Sequence, residues 1–324
     1  MKAVLCTQAG PPSSLVVESV PSPQPGPGQL VIQMKAAGVN FPDVLIIQGK
    51  YQYKPAMPFS PGAEAAGIVT AVGAGVTEYG VGDAVAAVMT YGAFAEEVVI
   101  DASRAIKLPP GFDMKVAAGF GLTYGTSYHA LKDRAQIRPG ETLLVLGAAG
   151  GVGLAAVELG ALMGARVIAA ASSDEKLETC KRFGAEHTIN YAKDDLREAL
   201  RKIVGNDGVD VVYDPVGDKY AEPAVRSLAW GGRFLVIGFA AGEIPKIPLN
   251  LLLLKSASIV GAFWGSFSQR DSTANANNNA TLVRWIASGH LKPLISATYT
   301  LDQVPQALTD MSNRKVQGKV VVVP

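Results

Sequence analysis

Cysteine is almost missing from this chain of 324 residues. Only Cys6 and Cys180 occur, too few for a disulfide framework, and unpaired thiols suit a reducing compartment, so the expected address is cytoplasmic. Histidine is equally scarce: His129, His187 and His290 follow no ligand spacing, so no bound metal is expected and each reads as a packing or surface residue. An excess of either charge is lacking too. With 29 basic and 28 acidic side chains the net charge is +1, which argues against nucleic acid or an anionic membrane as partner. Long hydrophobic runs are missing as well: Ala3 to Leu5 stops at Gly10, Pro11 and Pro12, too short for a signal peptide. The most apolar later stretch, Leu249 to Phe263, is broken by Lys255 and falls short of the roughly 20 residues of a spanning helix; it is expected to be buried core.

What remains is an ordinary globular composition, 48% hydrophobic and 18% charged, with length for two domains at roughly 150 residues each. Ahead of Tyr124, glycine and proline separate short β-branched runs, Leu30 to Ile32, Gly67 to Val72 and Val81 to Val88, as in a small irregular β domain. After it, strand candidates Thr142 to Leu146, Arg166 to Ala171, His187 to Ile189, Val209 to Tyr213 and Arg233 to Ile237 alternate with helical stretches 152 to 163, 174 to 183, 194 to 203 and 219 to 228. That alternation predicts an α/β fold, a doubly wound parallel sheet with helices on both faces. Beyond Ile259 to Phe263 come helical segments at 279 to 288 and 302 to 312, and the polar run Asn275 to Asn279 reads as a solvated loop. The terminal strand Lys319 to Val323 has no sequential neighbour, and its expected place is back in the N-terminal β domain.

Residues 147 to 153 read GAAGGVG, directly after the apolar strand Thr142 to Leu146 and before the helical pattern Leu154 to Met163. Strand, glycine turn and helix in this order suit a dinucleotide: the glycines permit a tight turn and close backbone approach, and the helix N-terminus meets the pyrophosphate. The backbone of Ala149, Gly150, Gly151 and Val152 is the expected contact; the plainer reading is a turn that only packs. The second strand then discriminates between cofactors. An NAD site wants an acid at its tip for the ribose 2′-OH, but the chain has Ser172, Ser173 and, one turn on, Lys176, which suit the 2′-phosphate of NADPH. Asp174 reads as an acid in the first turn of the next helix, and the serines also serve as a plain N-cap.

With these residues in view, the chain resembles the medium-chain dehydrogenase/reductase superfamily, in its zinc-free, ζ-crystallin-like quinone oxidoreductase branch. The resemblance covers essentially the whole chain and rests on AAGVNFPDVLIIQGKYQ (36 to 52), PFSPGAEAAGIVTAVGAGV (58 to 76), GDAV (82 to 85), LTYGTSYHAL (122 to 131), GAAGGVG, INY (189 to 191), VDVVYDPVG (209 to 217) and GRFLVIGF (232 to 239). It implies a GroES-like β domain, residues 1–123 and 264–324, and a Rossmann-type dinucleotide-binding domain, residues 124–263, with the cofactor in the cleft. Zinc enzymes of the superfamily carry a Cys where this chain has Asn40 and a His where it has Ala63, although Glu64 remains; the four-cysteine structural lobe is absent. The resemblance further implies Thr123, Tyr191 and Arg314 near the cofactor's ribose and phosphates. It also implies that the loops Gly238 to Ala241 and Ala262 to Trp264 line the nicotinamide, with Phe239, Ala240, Phe263 and Trp264 as contacts. Asn40 and Tyr51 are the implied catalytic pair, beside the nicotinamide and the acceptor.

Without zinc no Lewis acid steadies an alkoxide, whereas a quinone or enone is already electrophilic and needs orientation and a hydrogen bond to its oxygen. The expected function is therefore NADPH-dependent, zinc-independent reduction of quinones or other conjugated carbonyls, with Asn40 and Tyr51 as donors. Each has a duller reading, Asn40 as a turn residue and Tyr51 as a half-buried loop tyrosine. Two other functions stay open: an enoyl thioester reductase, since Tyr51 matches the proposed proton donor of that group, and a non-catalytic NADPH-binding structural or RNA-binding protein. A homodimer is expected, because the β-branched segment Ala257 to Phe263 falls where the family's nucleotide sheet has its edge, and Phe263 and Trp264 read equally as dimer core.

Overall fold

The computed structural model describes residues 1–324, which divide into two compact units: Met1–Leu122 with Val283–Pro324, and Thr123–Leu282. In chain order the elements are β1 (Lys2–Leu5), β2 (Val16–Ser19), β3 (Gln29–Gly38), α1 (Phe41–Ile47), β4 (Glu64–Val72), β5 (Ala84–Val88), β6 (Glu97–Asp101), β7 (Ala105–Lys107), α2 (Met114–Tyr128), β8 (Thr142–Leu146), α3 (Gly151–Leu162), β9 (Arg166–Ala171), α4 (Asp174–Arg182), β10 (His187–Asn190), α5 (Leu196–Val204), β11 (Val209–Asp214), α6 (Ala221–Arg226), β12 (Leu228–Val236), α7 (Asn250–Leu253), β13 (Ser258–Gly261), α8 (Trp264–Arg270), α9 (Ser272–Ala287), β14 (Ile295–Thr300), α10 (Val304–Ser312) and β15 (Lys319–Val323).

The first unit is the GroES-like one. Its main sheet runs β14-β15-β3-β4-β5-β7, with β6 also paired to β3. The C-terminal strand does return to the N-terminal domain: β15 lies antiparallel to β3, Val321 opposite Gly38. It is held there by burial, because Val320 and Val322 join Leu30, Ile32, Met34 and Phe94 in one core.

The second unit is the Rossmann-type one, six strands in the order β10-β9-β8-β11-β12-β13, every neighbouring pair parallel. The central β8, TLLVL, is buried at every position, the continuous apolar pattern that a strand covered on both faces requires.

Three expectations are corrected. The second domain boundary falls after Leu282, not after Phe263, because side chains on α8 and α9 pack within the nucleotide unit: Phe267 stacks on His129, and Asn278 is hydrogen-bonded to Lys132 and Asp133. Asn275 to Asn279 also lies in helix α9 rather than in a solvated loop, with Asn278 and Asn279 buried. Conversely, Leu249 to Phe263 is not core: Leu249 and Leu253 are more than 70% exposed, and Leu254 and Phe263 are also exposed, since this stretch lies at the sheet's β13 edge, where no further strand covers it.

Candidate functional site

The turn after β8 is built by glycine. Gly147 takes φ +58, the left-handed region that costs glycine least, and a Cβ at Gly153 would lie 2.2 Å from the Gly147 carbonyl oxygen, so helix and turn meet only if that side chain is missing. Gly150 caps α3 in extended backbone, Ala149 is buried, and Gly151 and Val152 begin the helix. The first N–H groups of a helix have no acceptor within it, so this end of α3 presents donors and a positive dipole end that fit a pyrophosphate. Beneath it the Ser127 hydroxyl donates to the Val152 carbonyl at 2.9 Å and pairs with the buried Tyr213 hydroxyl at 2.8 Å.

At the end of β9, Ser173 caps α4 by accepting from the Lys176 N–H, and Lys176 Nζ reaches the Ser172 hydroxyl, both at 3.4 Å. The first acid after the strand, Asp174, is paired at both oxygens. Its Oδ1 accepts from Asn190 Nδ2 and its Oδ2 from Lys193 Nζ, each at 2.6 Å, and the lysine, then the asparagine, hold the carboxyl below its usual range. Tyr191 packs its ring against Tyr220, centroids 4.4 Å apart. Sequence reasoning missed Asn190 and Lys193, which lie too far along the chain from Asp174 for any local pattern to pair them.

Buried Asp214 shapes the loops after β11 and β12. Its carboxylate accepts from the N–H groups of Val216 and Gly217, and its carbonyl from those of Ile237 and Gly238. Phe239 is partly exposed and Ala240 N–H donates to the Pro215 carbonyl at 3.0 Å. Thr123 is buried in α2. Phe263 is exposed, but Trp264 is buried, its indole donating to Asn275 Oδ1 at 3.2 Å and its ring lying against Gly125, so its side chain belongs to this unit's own interior.

The first unit carries Asn40, Tyr51 and Arg314. Asn40 caps α1, its N–H bonded to Asp43 Oδ2 at 2.8 Å, and its side chain is enclosed. Lys319 Nζ donates to Asn40 Oδ1 at 2.6 Å, to Glu64 Oε2 at 3.1 Å and to the Val39 carbonyl at 3.0 Å. Asn40 Nδ2 donates to Gly38 O and Glu64 Oε2, each at 3.3 Å, and Glu64 Oε1 accepts from Leu122 N–H at 2.9 Å. A carboxamide has two N–H donors, and both of Asn40's are directed at protein oxygens. Gly38 makes room for this trio, since a Cβ there would meet the Ala118 carbonyl at 2.1 Å and Glu64 Oε2 at 2.6 Å. The one sequence sign was a lysine opening the apolar strand KVVVV.

Tyr51 is half-buried, its ring centroid 6.1 Å from that of Tyr53, and no side chain or carbonyl of the protein hydrogen-bonds its hydroxyl. Burial, then Tyr53 and Asp43, push its phenol up, which keeps it a protonated donor. Arg314 is exposed beyond α10 with φ +57. No group of three or more His, Cys, Asp or Glu side chains is arranged to hold a metal ion, and no helix is long and apolar enough to cross a membrane.

The family described as alcohol dehydrogenase GroES-like domain matches residues 26–110, and the one described as zinc-binding dehydrogenase matches residues 151–281. Among curated proteins, quinone oxidoreductase-like protein 2 of Rattus norvegicus is 38% identical over 99% of this chain and 91% of its own. Among solved structures, Escherichia coli quinone oxidoreductase complexed with NADPH is 30% identical over 100% of both chains, with a TM-score of 0.93. A 2-haloacrylate reductase is 31% identical over 100% of this chain and 99% of its own, with a TM-score of 0.87. Likeness of this extent, over both units, makes this chain an oxidoreductase enzyme of the quinone oxidoreductase branch of the medium-chain dehydrogenase/reductase superfamily.

Proposed function

We propose that this protein reduces quinones or other conjugated carbonyls with NADPH and without zinc. The observation that carries the reading is the buried trio Asn40, Glu64 and Lys319. Where the zinc enzymes of the superfamily place metal ligands, the one carboxylate kept here is held by an ammonium, its neighbour is an amide, and the donor set does not suit Zn²⁺. An acceptor must then be electrophilic by itself, as a quinone is, and as the acrylate in the name of the 2-haloacrylate reductase is.

The glycine turn and the Ser172, Ser173 and Lys176 cluster fit NADPH, consistent with the NADPH complex of the Escherichia coli relative. When bound, the cofactor supplies the hydride. Thr123, Tyr191, Phe239, Ala240, Phe263 and Arg314 are proposed as further contacts, with Trp264 contributing backbone only. Asn40 and the groups around it hold the start of α1 in place, and Tyr51 donates a hydrogen bond to the acceptor oxygen as charge develops there. That unshared hydroxyl favours a second reading, an enoyl thioester reductase, in which Tyr51 delivers the proton. The free, buried Cys6 and Cys180 support a cytoplasmic address.

A homodimer is part of the proposal. Strand β13 ends the six-stranded sheet, and Leu249, Leu253, Leu254 and Phe263 stand exposed near it; pairing with a second copy would satisfy the open strand edge and cover those side chains.

The deciding experiment follows loss of reduced-nicotinamide absorbance against a panel of quinones, enones and enoyl thioesters, before and after strong chelation. Turnover of conjugated acceptors that survives chelation is expected. Loss of activity with the metal, or a preference for simple alcohols, would overturn the reading.

A further inference from the structure

We propose that Asn190 and Lys193 set the cofactor preference by pairing with Asp174, the first acid past the second strand. The inference rests on the reading of the β8 turn as a dinucleotide site. Strand β9 neighbours β8, and in such sheets an acid at the end of the second strand accepts from the ribose 2′-OH, the contact that selects NADH. Asp174 is the first acid past β9. Left alone it would attract that hydroxyl and repel a 2′-phosphate.

The structure takes both of its oxygens. Asn190 is 5% exposed and lies at the end of β10, opposite Ala171 of β9 in the parallel register. Its orientation is settled by a second bond, because its Oδ1 accepts from the Ala192 N–H at 3.2 Å, which turns Nδ2 toward Asp174. Lys193 follows in the same turn, its N–H bonded to the Asn190 carbonyl at 3.0 Å, and brings its ammonium to the other oxygen at 2.6 Å. Hydrogen bonds between ionised groups at such distances are the stronger kind. With the acid paired, Lys176 and the Ser172 hydroxyl 3.4 Å from its ammonium offer a cation and a donor suited to a phosphate. Lys193 is a positioning residue of this site, acting through the charge it cancels.

The test is calorimetric titration of the full-length protein with NADPH and with NADH, at low and at about 0.5 M salt, where screening removes exposed charge effects. Lys193→Ala should lower the NADPH-over-NADH affinity ratio about fivefold at low salt, within what exposed pairs contribute, and Lys193→Arg should preserve it. Adding Asp174→Ala to Lys193→Ala should restore NADPH binding, since the repelling acid is then gone. A ratio unchanged by Lys193→Ala, or a double variant no better than the single one, would overturn the inference. Lys176→Ala separates the two levels: if it weakens NADPH while Lys193→Ala is silent, the cofactor reading stands and the inference falls. If the unmutated protein binds neither nucleotide, both fall.

Discussion

Each unit of the molecule holds an asparagine, a carboxylate and a lysine bonded together, and the two trios behave oppositely because one is sealed and the other is wet. Glu64 and Lys319 are 1% and 3% exposed, while Asp174 and Lys193 are 67% and 66% exposed. A buried ion is stranded if its partner goes, because no water replaces it, and the cost is large. An exposed ion is rehydrated, so its pairing alters local charge at little cost to folding. The same three side-chain types thus make a fastening in the first unit and an adjustable selector in the second.

The harshest test of this contrast is Lys319→Met, expected to cost about 3–5 kcal/mol as broken buried pairs do, measured by urea unfolding. Adding Glu64→Gln should recover part of the loss, because no lone charge then remains. Should the single change cost no more than an exposed pair does, the distinction collapses.

Asp43, beside the sealed trio, sharpens it through pH. Burial, against the Asn40 N–H and the charge of Lys319, pushes its carboxyl from 3.8 to about 7. The folded chain therefore holds a proton that the unfolded chain releases, so this group's contribution is full below pH 3.8 and is lost as pH rises toward 7. The slope is at most about 1.4 kcal/mol per pH unit for one proton, and Asp43→Asn should flatten it in unfolding midpoints collected across that window.

Tyr51→Phe keeps the ring and removes the unshared hydroxyl. Turnover at saturating NADPH should fall about tenfold for a quinone and about 100-fold for an enone or enoyl thioester, which depends more on polarisation of its oxygen. Equal rates for every acceptor would leave the first unit with a fastening and no chemical group of its own. The smallest effect belongs to the open trio: Asp174→Ala should leave the thermal midpoint within experimental scatter while the affinity ratio for the two nucleotides changes.

Much of the architecture was legible locally. GAAGGVG between an apolar strand and a helical pattern identified the tight turn into α3, because the steric demand that excludes a Cβ at Gly153 is written as glycine itself. Burial was less legible. Leu249 to Phe263 reads as core by hydropathy, yet it lies on an open sheet edge, and Asn275 to Asn279 reads as loop by polarity, yet the buried Asn278 finds polar partners in Asp133 and Lys132. Hydropathy reports what a side chain prefers, and whether neighbours satisfy it depends on the rest of the chain.

By itself the sequence determined the parallel sheet, through the alternation of strand and helix patterns, and the glycine turn and serine-lysine pattern past the second strand, which depend on residues within a few positions of one another. Only the tertiary structure decided that Asn40's amide is directed inward, that Lys319 closes on Glu64 across 255 positions and that Lys193 pairs with Asp174 across 19. Such bonds join groups that are near only after strands have paired, and their consequences depend on how much water the finished fold leaves around them.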